Sequence, residues 1–231
     1  MRALDVGTSL LATLARAGAG MFAGHLGPRP ERPLELWDFE ACPFCRKVRE
    51  ALCILDLDAL VRPCPKGGPR FRPDVVRRGG REQFPYLVDP NTGDALYESD
   101  DIVRHLFARY GTGSPPWLVA TPLLTDVSST LASLARPTRG RVYRPARHPA
   151  EPLDLWSFEA SPFSRLVRET LCELELPYRL HNVAQGSPKR EAFVARSGRM
   201  MVPYLADPNT EVAMFESADI CAYLERTYAT A

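Results

Sequence analysis

The sequence predicts an α/β chain built from two tandem copies of one strand-helix-strand-helix-hairpin-helix (βαβαββα) unit, each preceded by a short helix. Three repeats carry that reading. Leu34-Glu35-Leu36-Trp37-Asp38-Phe39 returns as Leu153-Asp154-Leu155-Trp156-Ser157-Phe158. Cys42-Pro43-Phe44-Cys45-Arg46 returns as Ser161-Pro162-Phe163-Ser164-Arg165, with the frame kept and both cysteines replaced by serine. Phe84-Pro85-Tyr86-Leu87-Val88-Asp89-Pro90-Asn91-Thr92 returns as Val202-Pro203-Tyr204-Leu205-Ala206-Asp207-Pro208-Asn209-Thr210. Self-similarity of this kind marks a supersecondary unit written twice. The expected division is an N-terminal helix and connector over 1–33, a first domain over 34–111, a linker with the repeated helix over 112–152, and a second domain over 153–231.

Each element has its own signal. Leu4 to Arg16 and Thr125 to Arg136 read as short helices opened by a capping hydroxyl or Asp and followed by Pro/Gly/Arg-rich connectors. The Leu34 and Leu153 segments alternate apolar and polar residues, the period of a strand with one face buried. Pro43 and Pro162 then suit a first helical position, which needs no backbone donor, so Cys42 and Ser161 are the expected capping residues. Phe44, Val48, Ala51, Leu52 and Leu55, matched by Phe163, Val167, Leu171 and Leu174, give one apolar stripe to lie on a sheet. Second strands are expected near Leu60 to Pro63 and Tyr178 to Val183, and weakly marked helices near Pro73 to Arg78 and Pro188 to Arg196. The Asp-Pro-Asn-Thr turns lead into hairpin partners at Ala95 to Tyr97 and Ala213 to Phe215. Glu98-Ser99-Asp100 and Glu216-Ser217-Ala218 open the last helices, with the serine as the expected cap.

Composition narrows the function classes. The 231 residues, 45% hydrophobic, suffice for two domains with cores. A formal charge of +1 offers no bulk attraction to nucleic acid or a membrane surface. Arg136 to His148 holds five arginines and no acid and reads as a solvated linker. No stretch reaches the roughly 18 uninterrupted apolar residues of a spanning helix. The apolar start, Met1 to Gly24, carries Asp5 and Arg16 and has a counterpart in mid-chain, which argues against a targeting peptide. Six unevenly placed cysteines suit a reducing, cytoplasmic compartment better than a disulfide scaffold. Cys53, Cys64, Cys172 and Cys221 read as small buried hydrophobes.

Cys42-x-x-Cys45 is the chemically informative motif. A thiol capping a helix start gains from the dipole and from the following Arg46, Lys47 and Arg49, a setting that lowers its pKa from about 8.5 toward roughly 3.5–7.5. Cys42 is then an exposed nucleophile and Cys45, one turn inward, a resolving thiol. Zinc is the rival, but no second cysteine or histidine pair is spaced to complete a site, and no metal is expected.

Cys-Pro-Phe-Cys after a strand, Phe-Pro-Tyr-Leu opening the third strand and Tyr-Glu-Ser-Asp opening the last helix together resemble the glutaredoxin and glutathione-transferase N-terminal branch of the thioredoxin fold. The second unit, with Ser-Pro-Phe-Ser-Arg, Leu-Pro-Tyr, Val-Pro-Tyr-Leu and Phe-Glu-Ser-Ala-Asp-Ile, resembles the transferase side more closely. The resemblance implies two thioredoxin-like domains forming a pseudo-dimer within the chain, with homodimerisation open. It implies glutathione as cosubstrate and protein or small-molecule disulfides as partners. It further implies cis bonds at Pro85 and Pro203, backbone contacts from Phe84 and Val202 to the cysteinyl part of glutathione, and γ-glutamyl carboxylate sites at Glu98-Ser99 and Glu216-Ser217. Plain capping is the simpler account of the two serines. The expected activity is glutathione-linked thiol-disulfide exchange at Cys42 and Cys45. The alternatives are a transferase in which Ser161 or Cys42 stabilises the glutathione thiolate, and a non-catalytic glutathione- or protein-binding module. Transferases of this type append an all-helical domain that builds the electrophile pocket. Tyr110 instead runs into a short linker and Tyr228 nearly ends the chain, which disfavours conjugation of bulky electrophiles.

Overall fold

A computed structural model describes residues 20–116, 119 and 139–230. The two expected short helices, Leu4 to Arg16 and Thr125 to Arg136, lie outside the described residues. Unit 1 runs β1 (Leu34–Asp38), α1 (Pro43–Ile54), β2 (Ala59–Pro63), α2 (Phe71–Gly79), β3 (Tyr86–Asp89), β4 (Asp94–Leu96) and α3 (Ser99–Tyr110). Unit 2 repeats the order with β5 (Leu153–Ser157), α4 (Pro162–Glu173), β6 (Tyr178–Asn182), α5 (Arg190–Ser197), β7 (Tyr204–Asp207), β8 (Val212–Phe215) and α6 (Ser217–Tyr228). The weakly marked middle helices form, each stopped by a left-handed glycine, Gly80 at φ 80° and Gly198 at φ 83°.

Within each unit the first strand pairs parallel with the second and antiparallel with the third. The units then merge. β2 and β6 pair antiparallel, Ala59 opposite Leu180 and Val61 opposite Tyr178, giving one eight-stranded sheet in the order β4-β3-β1-β2-β6-β5-β7-β8. Each unit buries a main core between the sheet and its first and last helices. Leu36, Val48, Leu52 and Leu106 belong to the first, and Leu155, Val167, Leu171 and Leu224 to the second.

The Asp-Pro-Asn-Thr turns are structural. Asp89 is fully buried and accepts from the Asn91 amide (2.9 Å) and from the Tyr110 hydroxyl (2.7 Å); Asp207 accepts from the Asn209 amide (2.9 Å) and from the Tyr223 hydroxyl (2.6 Å). These bonds tie the last helix of each unit to the end of its third strand.

The connector after Arg136 is not a solvated linker where it is described. Lys66 bridges Val142, the Lys66 amide donates to Arg141 O (2.6 Å), and Arg144 donates a hydrogen bond to Glu225. Equivalently, Phe22 bridges Gln185. The connector that leads into each unit therefore touches the other unit as well as its own, where Arg144 reaches Glu225 and the Gly24 amide donates to Ile54 O at 2.8 Å.

Candidate functional site

Cys42 caps α1 as its position before Pro43 requires. Its backbone is extended (φ −79°, ψ 122°) and its sulfur accepts from the Cys45 amide at 3.3 Å. Ser161 does the same on α4, with φ −68°, ψ 116° and a 3.2 Å bond from the Ser164 amide. One expectation is corrected here. Cys42 is not exposed: it retains 4% of its surface, and Cys45 none, and the adjacent Ala41 amide donates to Gly140 O of the connector that leads into unit 2. The neighbouring Phe44 is the exposed residue of the motif, at 44%.

The two thiols are set apart. Hydrogen bonding from the Cys45 side chain lowers the Cys42 pKa against the opposing effect of burial; the Cys45 and Phe44 amides and Arg49 add to the lowering. Burial, then the neighbouring Cys42, then Asp38 push Cys45 well above the usual thiol range. The expected role of Arg46, Lys47 and Arg49 as cations surrounding the thiol also changes. Arg46 pairs with Glu50 (3.1 Å), Lys47 with Asp100, and Arg49 with Asp38 and with Glu159 (3.1 Å). Arg46 and Arg49 lie on a polar face of α1 that meets Glu159 of the second unit, whereas Lys47 is buried against α3 of its own unit.

Three loops of unit 1 meet through their side chains. Phe84-Pro85 is a cis bond, and so is Val202-Pro203. Register places Tyr86 opposite Trp37, and the Phe84 ring meets Phe39 of the thiol loop edge-on at 6.1 Å. Arg72 lies 4.8 Å over the Phe84 ring and is held by the Cys64 and Pro65 carbonyls. Gln83 donates to Glu98 at 2.6 Å, and the Lys47-Asp100 pair ties α1 to the start of α3. Sequence placed Ser99 as the cap, but Glu98 occupies that position, with no side-chain capping bond, and Ser99 is the first helical residue. Glu98 holds φ 60° and Glu216 φ 66°, left-handed values a non-glycine residue adopts at a cost of about 1–3 kcal/mol, typically beside functional sites. Ser99 and Ser217 are both buried.

Unit 2 carries the same elements: Ser161 at the start of α4, the cis Val202-Pro203 bond before β7, and Glu216-Ser217 at the start of α6. Ser164 is fully buried and its hydroxyl has no hydrogen-bond partner. Ser157, at the place of Asp38, has an equally unpartnered hydroxyl. Cys53 and Cys172 serve as buried donors, to Gly20 O (2.9 Å) and Gly140 O (3.3 Å), and burial pushes the Cys53 pKa up to about 12. Cys64 is buried, and Cys221 is half-buried against Thr170 (3.3 Å).

Among the described residues no cluster of three or more His, Cys, Asp or Glu is placed to hold a metal ion, and no helix is long and apolar enough to cross a membrane. A cleft of about 480 Å³ lined by Pro28, Arg32, Asn91 and Tyr110 opens at the far end of β3 from Pro85. It takes no part in this site. Sequence reasoning missed the buried charges between the units: Glu40, Glu159, Arg49 and Arg168. Their repetition at equal positions in both copies was the available signal.

Two βαβαββα units, each with a cis-proline before its third strand and a capping thiol or hydroxyl at its first helix, define a tandem thioredoxin-like protein. The chain belongs to the family described as glutathione S-transferase, N-terminal domain, which it matches over residues 36–116 and 155–231. Among solved structures it is similar to the Bombyx mori glutathione transferase BmGSTD1, with 25% identity over 37% of this chain and 39% of that one, at a TM-score of 0.33. It is also similar to Leishmania TDR1, a trimeric glutathione transferase, with 15% identity over 85% of this chain and 68% of that one, at a TM-score of 0.30. The chain thus spans about two-fifths of the BmGSTD1 chain. A search of curated proteins gives no match.

Proposed function

We propose that the protein catalyses glutathione-linked thiol-disulfide exchange at Cys42. The observation that carries this is the unequal pair at the start of α1: Cys42 is hydrogen-bonded and shifted toward thiolate, while Cys45 is buried and shifted toward thiol. Membership of the glutathione S-transferase N-terminal family supports glutathione as the cosubstrate, with Phe84-Pro85 and Glu98-Ser99 as its contacts.

In the proposed step the Cys42 thiolate attacks the glutathionyl sulfur of a mixed disulfide. A bond from Cys42 Sγ to that sulfur forms as the substrate's S–S bond breaks, and the departing thiolate takes up a proton. A second glutathione thiolate then attacks the glutathionyl sulfur, releasing oxidised glutathione and restoring Cys42. Cys45 can instead lose its proton and attack Cys42 Sγ, expelling glutathione and closing a Cys42-Cys45 disulfide. With its proton held tightly, Cys45 is the slower nucleophile at neutral pH, and the glutathione route dominates.

The test is trapping. Cys45→Ser treated with oxidised glutathione should gain one glutathionyl group on Cys42 by mass spectrometry, and Cys42→Ser should gain none at the motif. Labelling that ignores Cys42→Ser sinks the proposal. Conjugation of a small aromatic halide that survives Cys42→Ser and falls with Ser161→Ala favours the transferase reading, in which the Ser161 hydroxyl stabilises the glutathione thiolate. Glutathione binding without either reaction leaves a binding module.

A further inference from the structure

Unit 2 has no thiol at its Ser161 turn, yet its side chains reach the turn that bears Cys42. Glu40, two residues before Cys42, accepts two bonds from Arg168 of α4, both at 3.1 Å. Glu159, two residues before Ser161, accepts from Arg49 of α1 at 3.1 Å and lies 3.0 Å from Arg168 and 3.9 Å from Arg46. Arg49 in turn lies 3.3 Å from Glu40. Two carboxylates and two guanidiniums thus alternate across the interface, each side chain at most 5% exposed. The backbone is crossed in the same way. The Ala41 amide, next to Cys42, donates to Gly140 O of the unit 2 connector at 3.4 Å, and the Ala160 amide donates to Gly20 O at 3.5 Å.

Burial of such pairs contributes little net stability, because desolvation offsets attraction. Their effect is electrostatic and positional. Burial raises the Glu159 pKa, but Arg168, Arg49 and Arg46 outweigh it and hold the carboxyl down to about 2. The charge is therefore present throughout the neutral range, in a low-dielectric interior where charges act at long reach. Arg49 is the link: it faces Glu159 and Glu40 on one side and contributes to the lowering of Cys42 on the other.

We propose that Glu159 and Arg168 of unit 2 are positioning residues of the Cys42 site: through Arg49 and Glu40 they hold the turn before Cys42 and set the charge its sulfur faces. The Ser161 unit is then a working part of the thiol site rather than a spare copy. This rests on Cys42 being the reactive thiol. Other charges face the same cluster. Asp38 of β1 meets it through Arg49, Glu50 of α1 through Arg46, and Asp100 of α3 lies behind Lys47. On the unit 2 side Arg165 lies 3.9 Å from Glu40. The other nearby titratable groups, Cys45, Cys53, Cys172 and Tyr178, are all pushed upward by burial.

The experiment is the pH dependence of Cys42 alkylation by iodoacetamide in the full chain, followed by mass spectrometry of the Cys42 peptide. Glu159→Gln and Arg168→Gln keep hydrogen-bonding capacity and remove charges of opposite sign. The alkylation midpoint should fall in the first and rise in the second, each by about half to one pH unit. A merely structural role would move both the same way or neither, and either result overturns the proposal. Should an amide variant fail to fold, Arg165→Gln at the cluster edge replaces it, with a smaller upward shift expected and an unmoved midpoint fatal. Opposite shifts in a protein whose wild type turns over no glutathione mixed disulfide uphold this inference and reject the oxidoreductase reading.

Discussion

Unit 1 and unit 2 share a backbone and differ where the chemistry lies. Asp38, Cys42 and Cys45 in the first stand where Ser157, Ser161 and Ser164 stand in the second. The capping bond is nearly the same length in both, 3.3 Å to sulfur and 3.2 Å to oxygen, so the helix start does not need a thiol. The titrating pair is what the first unit adds. Asp38 changes with the thiols: its carboxylate is engaged by Arg49, whereas the Ser157 hydroxyl that replaces it is buried without a partner. The frame is thus separable from the reactivity, and the second copy retains the frame alone.

The sharpest way to break that comparison is kinetic. Cys42→Ser should lower turnover of a glutathione mixed disulfide by at least about 100-fold, against less than about twofold for Ser161→Ala, measured by coupling oxidised glutathione to a reductase and following cofactor absorbance. Comparable losses from both would mean that the two sites share the reaction.

The connectors offer a second contrast. Gly140 holds φ 63°, and a Cβ there would sit 2.7 Å from Glu40 Cβ; Gly20 holds φ 79°, and its Cβ would sit 2.9 Å from Glu159 Cβ. Alanine at either should cost about 2–3 kcal/mol in urea unfolding, and Gly140→Ala, which presses on Glu40 in the Cys42 turn itself, should slow Cys42 more than Gly20→Ala, which reaches it only through Glu159.

At the third-strand turns the units should match. Burial raises the Asp89 pKa, but the hydrogen bonds from Tyr110, His105 and Asn91 outweigh it and hold the carboxyl down to about 2, against ~3.9 unfolded. Its stabilisation, about 2 kcal/mol, is therefore complete above the unfolded value and lost as pH falls through the folded one. Asp89→Asn should flatten the decline in stability between pH 5 and 2, followed by thermal melts across that range. Asp207→Asn should do likewise, since its pKa is lowered by equivalent partners against burial.

The smallest effect concerns the pair of buried Lys47 with half-exposed Asp100, which unit 2 replaces with Leu166 and Ala218. Lys47→Leu combined with Asp100→Ala should change unfolding free energy by less than about 1 kcal/mol, whereas Asp100→Ala alone, which strands the fully buried lysine, should cost more.

Much of this architecture was legible in the residues. Alternation in Leu34 to Phe39, proline after the capping position and the Asp-Pro-Asn-Thr turns are local signals, and each unit forms locally. What lay beyond reach was what one unit does to the other. Arg46 and Arg49 occupy the polar face of an amphipathic helix, and only the pairing of β2 with β6 turns that face into an interior. The bond from the Cys42 turn to Gly140 was hidden for the same reason, since Gly140 lies about 100 residues away in sequence. Ser99 misled because serine is a common cap, while Glu98 holds the left-handed turn that starts α3 one residue earlier.

The antiparallel meeting of β2 and β6 also limits what the sheet can join. An unpaired strand edge is an open template for another chain, and an isolated unit would leave its β2 or β6 edge in that state. Because each of these strands serves as the other's complement, in the manner of a self-complementary twofold contact, the seam closes at two units and leaves no head-to-tail site for a third. The edges that remain, β4 and β8, are three and four residues long. They offer few backbone groups for growth. Tandem duplication has thereby converted an adhesive strand in each copy into an internal seam.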